Sequence, residues 1–70
     1  MKILILGGTG AIGSHVAKLA AAQGSKVFVT SRSRRNPEEN IIYLQGNALD
    51  LDFLTELLRR PWDVIIDFMS

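Results

Sequence analysis

The sequence predicts an α/β domain on a parallel sheet, in the order β-α-β-β-α-β. Three observations carry that expectation. Segments of strand type alternate with segments of helical type, which calls for crossover connections between parallel strands. The first segment, Ile3 to Leu6, is apolar without alternation, as a strand covered on both faces requires. It runs directly into a turn rich in glycine, which opens an amphipathic stretch.

Residues 3–6 form the first strand and end at glycine. Residues 11–23 have helical spacing, with Ile12, Val16, Leu19 and Ala20 as the apolar stripe. Gly24 follows as the helix stop. Residues 26–30, KVFVT, are β-branched and aromatic and make the second strand. Residues 31–40, SRSRRNPEEN, are polar, hold one proline, show no apolar period and read as a loop. Residues 41–45, IIYLQ, make the third strand, ended by Gly46-Asn47. Residues 50–60 read as a helix with Asp50 and Asp52 at its start and Arg59 and Arg60 at its end, which suits the helix dipole. Pro61 marks the stop, and residues 63–68, DVIIDF, make the fourth strand. There is no internal repeat, low-complexity tract or linker.

Composition narrows the function classes. The chain has 70 residues, 47% apolar and 21% charged, which is globular rather than disordered. A chain this short buries only about 60% of its unfolded surface. No cysteine means no disulfide scaffold and no thiolate metal site, and one histidine makes no metal cluster. A net charge of +1 predicts no bulk attraction to nucleic acid or to a membrane. The longest apolar runs fall far short of the ~20 residues of a membrane helix or the ~7–15 of a secretory signal. A cytoplasmic chain is expected.

The turn Gly7-Gly8-Thr9-Gly10-Ala11-Ile12-Gly13 fits two overlapping patterns. Gly8, Gly10 and Gly13 make G-x-G-x-x-G; Gly7, Gly10 and Gly13 make G-x-x-G-x-x-G. Its place between a strand and a helix is the context that gives such a pattern meaning. A tight strand-to-helix turn needs dihedrals that glycine tolerates. A side chain in mid-turn would keep a pyrophosphate from the backbone N–H groups, and the last glycine lets the helix approach the strand. The helix N-terminus then offers free N–H groups and a partial positive charge to phosphates. Thr9 adds a hydroxyl donor. No Gly-Lys-Ser/Thr follows, so a P-loop is disfavoured. The turn therefore predicts a dinucleotide site, with Gly7 through Gly13 as binding residues, on half of a Rossmann-type doubly wound sheet of strand order 3-2-1-4.

A site for NAD usually places a carboxylate about 20 residues on, at the end of the second strand, to hold the ribose 2′-OH. Here that place holds Thr30-Ser31-Arg32-Ser33-Arg34-Arg35, and the first carboxylate is Glu38. An arginine fork holds a 2′-phosphate bidentately where a carboxylate would repel it. The expected cofactor is NADP(H), with NAD as the alternative. Arg32 is the main candidate, assisted by Ser31 and Ser33, with Arg34 or Arg35 adding charge or stacking on adenine. The other reading of the loop is an exposed basic segment balanced by Glu38 and Glu39. No interleaved aromatic platform accompanies the arginines, which argues against nucleic acid.

The stretch ILILGGTGAIGSHVAKLAAAQGSKVFVTSR resembles the N-terminus of the short-chain dehydrogenase/reductase superfamily. Its Gly-Gly-Thr-Gly-x-Ile-Gly form is closest to the extended (NAD-dependent epimerase/dehydratase) and atypical NmrA-like branches. The resemblance covers the chain and is silent about substrate. It implies that the segment after the third strand lies beside adenine, here Gly46-Asn47-Ala48-Leu49-Asp50. Asn47 stands where the family has aspartate; its amide oxygen can accept from the adenine amino group, or the residue can serve the turn alone. The fourth strand of the family often ends in small residues along the cofactor, and Phe68 and Met69 depart from that.

The resemblance also implies a catalytic Tyr-x-x-x-Lys pair beyond the fourth strand. The one tyrosine, Tyr43, is followed by Leu44, Gln45, Gly46 and Asn47, so no such pair occurs here and no catalytic residue is assigned. Tyr43 and Trp62 read as packing residues, His15 as a surface or packing residue, and Asp63 and Asp67 as no dyad. A whole domain of this fold has two such halves, so residues 1–70 are expected to be the N-terminal segment of a longer domain. Three readings follow. The chain binds NADP(H) for an oxidoreductase- or epimerase-like enzyme; it is a non-catalytic NmrA-like module that senses a dinucleotide or binds a protein; or it self-associates through the open, apolar edge of the fourth strand, Val64 to Ile66.

Overall fold

Four parallel strands alternate with two helices along the chain. A computed structural model describes residues 1–7 and 9–69; Gly8, one of the expected site residues, and Ser70 lie outside the described residues. The elements are β1 (Lys2–Leu6), α1 (Ala11–Ala22), β2 (Lys26–Ser31), β3 (Ile41–Gln45), α2 (Leu51–Leu58) and β4 (Val64–Asp67). The sheet order is β3-β2-β1-β4, the order expected when two crossovers of one hand, β1 to β2 and β3 to β4, run in opposite directions across the sheet. Ile3 pairs with Val27 of β2 on one side and with Val64 of β4 on the other. Val27 continues the row to Ile41 of β3.

β1 is the centre of the molecule. Ile3, Leu4, Ile5 and Leu6 are each 7% exposed or less, which explains the unbroken apolar run. Strand alternation sends them to two cores. Ile3 and Ile5 join Val27, Val29 and Ile41 beneath Ala17 and Ala21 of α1. Leu4 and Leu6 join Leu57 of α2, with Phe28, Leu44, Phe53, Leu54, Trp62 and Met69 around them. The two helices therefore cover opposite faces.

The buried stripe of α1 differs from the expected one. Gly13, Ala17 and Ala21, four apart, face the sheet, with Val16 and Ala20 beside them. Ile12 and Leu19 point outward, 73% and 52% exposed. The reason is distance: side chains no larger than a methyl let the helix lie close on β2 and β3, and the larger branched residues are left on its flanks.

α2 begins at Asp50, whose carboxylate accepts from the Asp52 backbone N–H at 2.9 Å. Arg59 and Arg60 fall just past its last turn, where Arg59 makes an exposed ion pair with Glu56 at 3.2 Å, an arrangement of small energetic weight. Trp62 does more than pack. Its indole N–H donates to the Leu57 carbonyl at 2.7 Å, closing the end of α2, and its ring meets Phe28 edge-on at 5.1 Å.

Candidate functional site at the carboxyl ends of the strands

Strand order reverses between β1 and β4, and ligands of open α/β sheets bind outside the carboxyl ends of the strands at such a point. Gly7 leaves β1 there with φ +71°, a left-handed conformation that a side chain would strain. Its N–H donates to Thr30 Oγ1 at the end of β2, at 2.9 Å. A Cβ on Gly7 would stand 2.8 Å from Met69 Cγ, so the turn is also wedged against the chain beyond β4.

Gly10 is the N-cap of α1, in extended conformation, and provides no side-chain hydrogen bond to the first turn. That turn carries no acidic residue. A Cβ at Gly10 would meet nothing within 4 Å. Among the described residues the N-terminus of α1 thus has no side-chain cap and has free space beside Gly10, as an anion site requires.

Two cavities flank the turn. The first, of about 390 Å³, is walled by Gly7 and Thr9 of the turn, by Thr30, Ser31, Arg32 and Ser33 at the end of β2, by Gly46 to Leu49 after β3, and by Phe68 and Met69 after β4. The second, of about 350 Å³, is walled by Gly7, Gly10, Ala11, Ile12, Gly13 and Phe68. Every expected site residue among the described residues lies in one or the other except Arg34 and Arg35. The Arg35 guanidinium sits 5.9 Å over the ring of Tyr43, which belongs to the α1 side of the sheet. Tyr43 is more than packing: its hydroxyl donates to Glu38 at 2.9 Å, so aromatic face and phenol together hold the loop.

The first cavity has one full charge in its wall, Arg32, and no carboxylate among the described lining residues. Ser31 is buried and its hydroxyl donates to the Ser33 carbonyl at 2.7 Å. With its one hydrogen engaged, Ser31 shapes the turn that presents Arg32. Asn47 likewise holds a turn: its Oδ1 accepts from the Leu49 N–H at 2.9 Å, with Ala48 buried between them. Thr30 completes the wall without having been expected there, together with Gly46 and Leu49 of the segment expected beside adenine and Phe68 and Met69 past the end of β4. The signal for Thr30 in the sequence is a hydroxyl at the end of an otherwise apolar strand. Among the described residues no group of three His, Asp or Glu is placed to hold a metal, and no helix is long and apolar enough to cross a membrane.

The model of the NAD dependent epimerase/dehydratase family matches residues 3–70. The chain belongs to that family. Solved structures share its fold. The enzyme WbmH of Bordetella bronchiseptica, in complex with NAD+, superposes with a TM-score of 0.82 at 26% identity over 99% of the chain and 25% of its own. A putative exported protein of Burkholderia pseudomallei gives 0.77 at 31% identity over 100% of the chain and 32% of its own. The oxidoreductase ylbE of Lactococcus lactis, at 19% identity and a TM-score of 0.80 over 100% of the chain and 33% of its own, shares the fold. The family chain thus spans a quarter to a third of these proteins. No curated protein matches it.

Proposed function

We propose that residues 1–70 are the NADP(H)-binding segment of an epimerase/dehydratase- or reductase-like enzyme. The cofactor supplies the hydride chemistry, and this chain's own residues bind and orient it. In this reading the N–H groups of the glycine turn and of the first turn of α1 take the diphosphate, and the Asn47-Ala48 turn borders adenine. Arg32 takes the ribose 2′-phosphate. Acid/base groups come from the part of the fold that follows β4 in the family.

The observation that carries the NADP(H) preference is the wall at the end of β2: Arg32 held on a turn braced by Ser31, with no carboxylate among the described residues of the cavity. A carboxylate there would accept from a 2′-OH; a guanidinium in its place favours a phosphate. The family and the NAD+ complex of WbmH support a nicotinamide dinucleotide in general.

The test is a paired calorimetric titration with NADPH and NADH at fixed salt. The expected result is a preference for NADPH of at least about tenfold, or ~1.4 kcal/mol, lost in Arg32→Ala. Equal affinities would make it a site that takes either dinucleotide and remove the NADP(H) preference. A second reading, self-association, has its own observation: Ile65 on the edge strand β4 is 47% exposed beside backbone that pairs only with β1 among the described residues. Sedimentation at micromolar concentration decides it, and a monomer removes it.

A further inference from the structure

The chain passes from β2 to β3 without a helix. Residues 32–40 run from the carboxyl end of β2 back to the amino end of β3 as irregular backbone, and every one of them is exposed. Without buried apolar contacts, the path of such a segment depends on a few local ties.

The hydrogen bonds lie at its two ends. At the first, the Ser31 hydroxyl donates to the Ser33 carbonyl at 2.7 Å. At the second, Glu38 and Ile41 exchange backbone hydrogen bonds at 3.0 Å, and the Asn40 side-chain amide donates to the Ala21 carbonyl at 3.3 Å. Among the described residues no hydrogen bond reaches residues 34–37. What supports the middle is Tyr43. It packs half-buried against the core beneath α1 and pairs in register with the fully buried Val29 of β2. Its ring lies 5.9 Å under the Arg35 guanidinium, and its hydroxyl donates to Glu38 at 2.9 Å. One side chain rooted in the sheet thus holds the crossover at two points. Arg32 stands three residues before the first of them, in the wall of the first cavity.

We propose that Tyr43 is a positioning residue for the ribose 2′-phosphate, acting through Arg32. The inference rests on the NADP(H) reading above. By pinning Arg35 and Glu38, Tyr43 limits the paths open to residues 33–37, and with them the positions from which the Arg32 guanidinium meets a phosphate. A ligand that uses Arg32 needs that stretch ordered, and with the platform in place the ordering precedes binding. A ligand without the 2′-phosphate makes no use of Arg32 and gains nothing from the platform. Arg35 then serves as the anchor of the loop and not as a second phosphate ligand.

The test titrates NADPH and NADH against the wild-type chain, Tyr43→Leu and Tyr43→Phe by calorimetry at fixed salt and neutral pH, each variant checked for folding by circular dichroism. Tyr43→Leu keeps apolar bulk against the core and removes both ties; Tyr43→Phe keeps the ring and removes the hydroxyl. The expected result is that Tyr43→Leu weakens NADPH by about fivefold or more, the size of a cation–π contact and a hydrogen bond together, and leaves NADH within about twofold. Tyr43→Phe falls between and carries the comparison if the leucine variant does not fold. A role in stability alone would weaken both ligands by the same factor. Equal weakening of both, or of neither, overturns the role of Tyr43 and leaves the NADP(H) reading standing. Tighter NADPH binding by Tyr43→Leu overturns it too, because Arg35, once released, would then be a phosphate ligand itself. A folded wild-type chain with no preference for NADPH, or with no affinity for either ligand, overturns the NADP(H) reading, and this inference with it.

Discussion

The N–H of Gly7 donates to the hydroxyl of Thr30 at 2.9 Å, joining the turn after β1 to the last residues of β2. Thr30 is buried, so water does not readily replace it. Thr30→Val keeps the shape and removes the acceptor. The expected loss is about 1–3 kcal/mol of unfolding free energy, with Thr30→Ser close to wild type. Urea denaturation measures it as a lower midpoint at unchanged slope; an unshifted midpoint means the bond carries no net stability.

Gly46 faces the ring of Phe53. A Cβ there would fall 2.5 Å from Phe53 Cε1 and Cζ, far inside contact distance. Gly46→Ala is expected to push Phe53 out of the core beneath α2, at about 1–3 kcal/mol. Phe53→Leu gives the methyl room, so the double variant should be more stable than the sum of the single losses. Additive losses in a double-mutant cycle would refute the clash.

Asp50 caps α2 through the Asp52 N–H. Asp50→Ala should destabilise the chain by about 1 kcal/mol, and Asp50→Asn by clearly less. Thermal unfolding followed by circular dichroism distinguishes a cap from a mere surface charge, because the charge alone would make the two variants alike.

Tyr43 titrates above its ordinary 10.0. Partial burial is the main cause; the hydrogen bond to Glu38 and that carboxylate's charge add to it, and Arg35 pulls the other way. A raised phenol keeps its proton in the folded state after the unfolded chain has lost it. Its contribution to stability is whole below pH 10 and is lost as pH climbs through the folded value. Stability should fall more steeply above about pH 10 in the wild type than in Tyr43→Phe. Parallel curves would show that the phenol is not linked to folding.

The architecture was readable because it rests on local chemistry. The apolar run of β1, the glycine stop after α1 and Pro61 after α2 each act within a few residues, and the crossover rule turns their order into β3-β2-β1-β4. The face of α1 was not readable from apolar content, since Ala17 and Ala21 carry the contact and the more hydrophobic Ile12 and Leu19 do not. The candidate site divides in the same way. The glycine turn, Arg32 and Asn47 announce themselves in short stretches of chain. The bond from Gly7 to Thr30, the ring of Phe53 against Gly46 and the placing of Phe68 beside the glycine turn depend on segments that only the folded sheet brings together. Arg35 shows the converse: it has the right charge in the right loop, but Tyr43 and Glu38 draw the chain around it toward the other face.

The central strand reaches its two neighbours over very different spans of chain. Ile3 meets Val27 after one crossover and Val64 only after the rest of the chain has turned back. Closing the longer loop costs about 0.8 kcal/mol more in chain entropy, and β4 is the shortest strand of the sheet. β1, β2 and β3 are thus set to assemble as a unit, with β4 annealing last. The wall that Phe68 and Met69 add to the cavities is then late to arrive and early to loosen, and its amides should be among the first of the sheet to exchange with solvent.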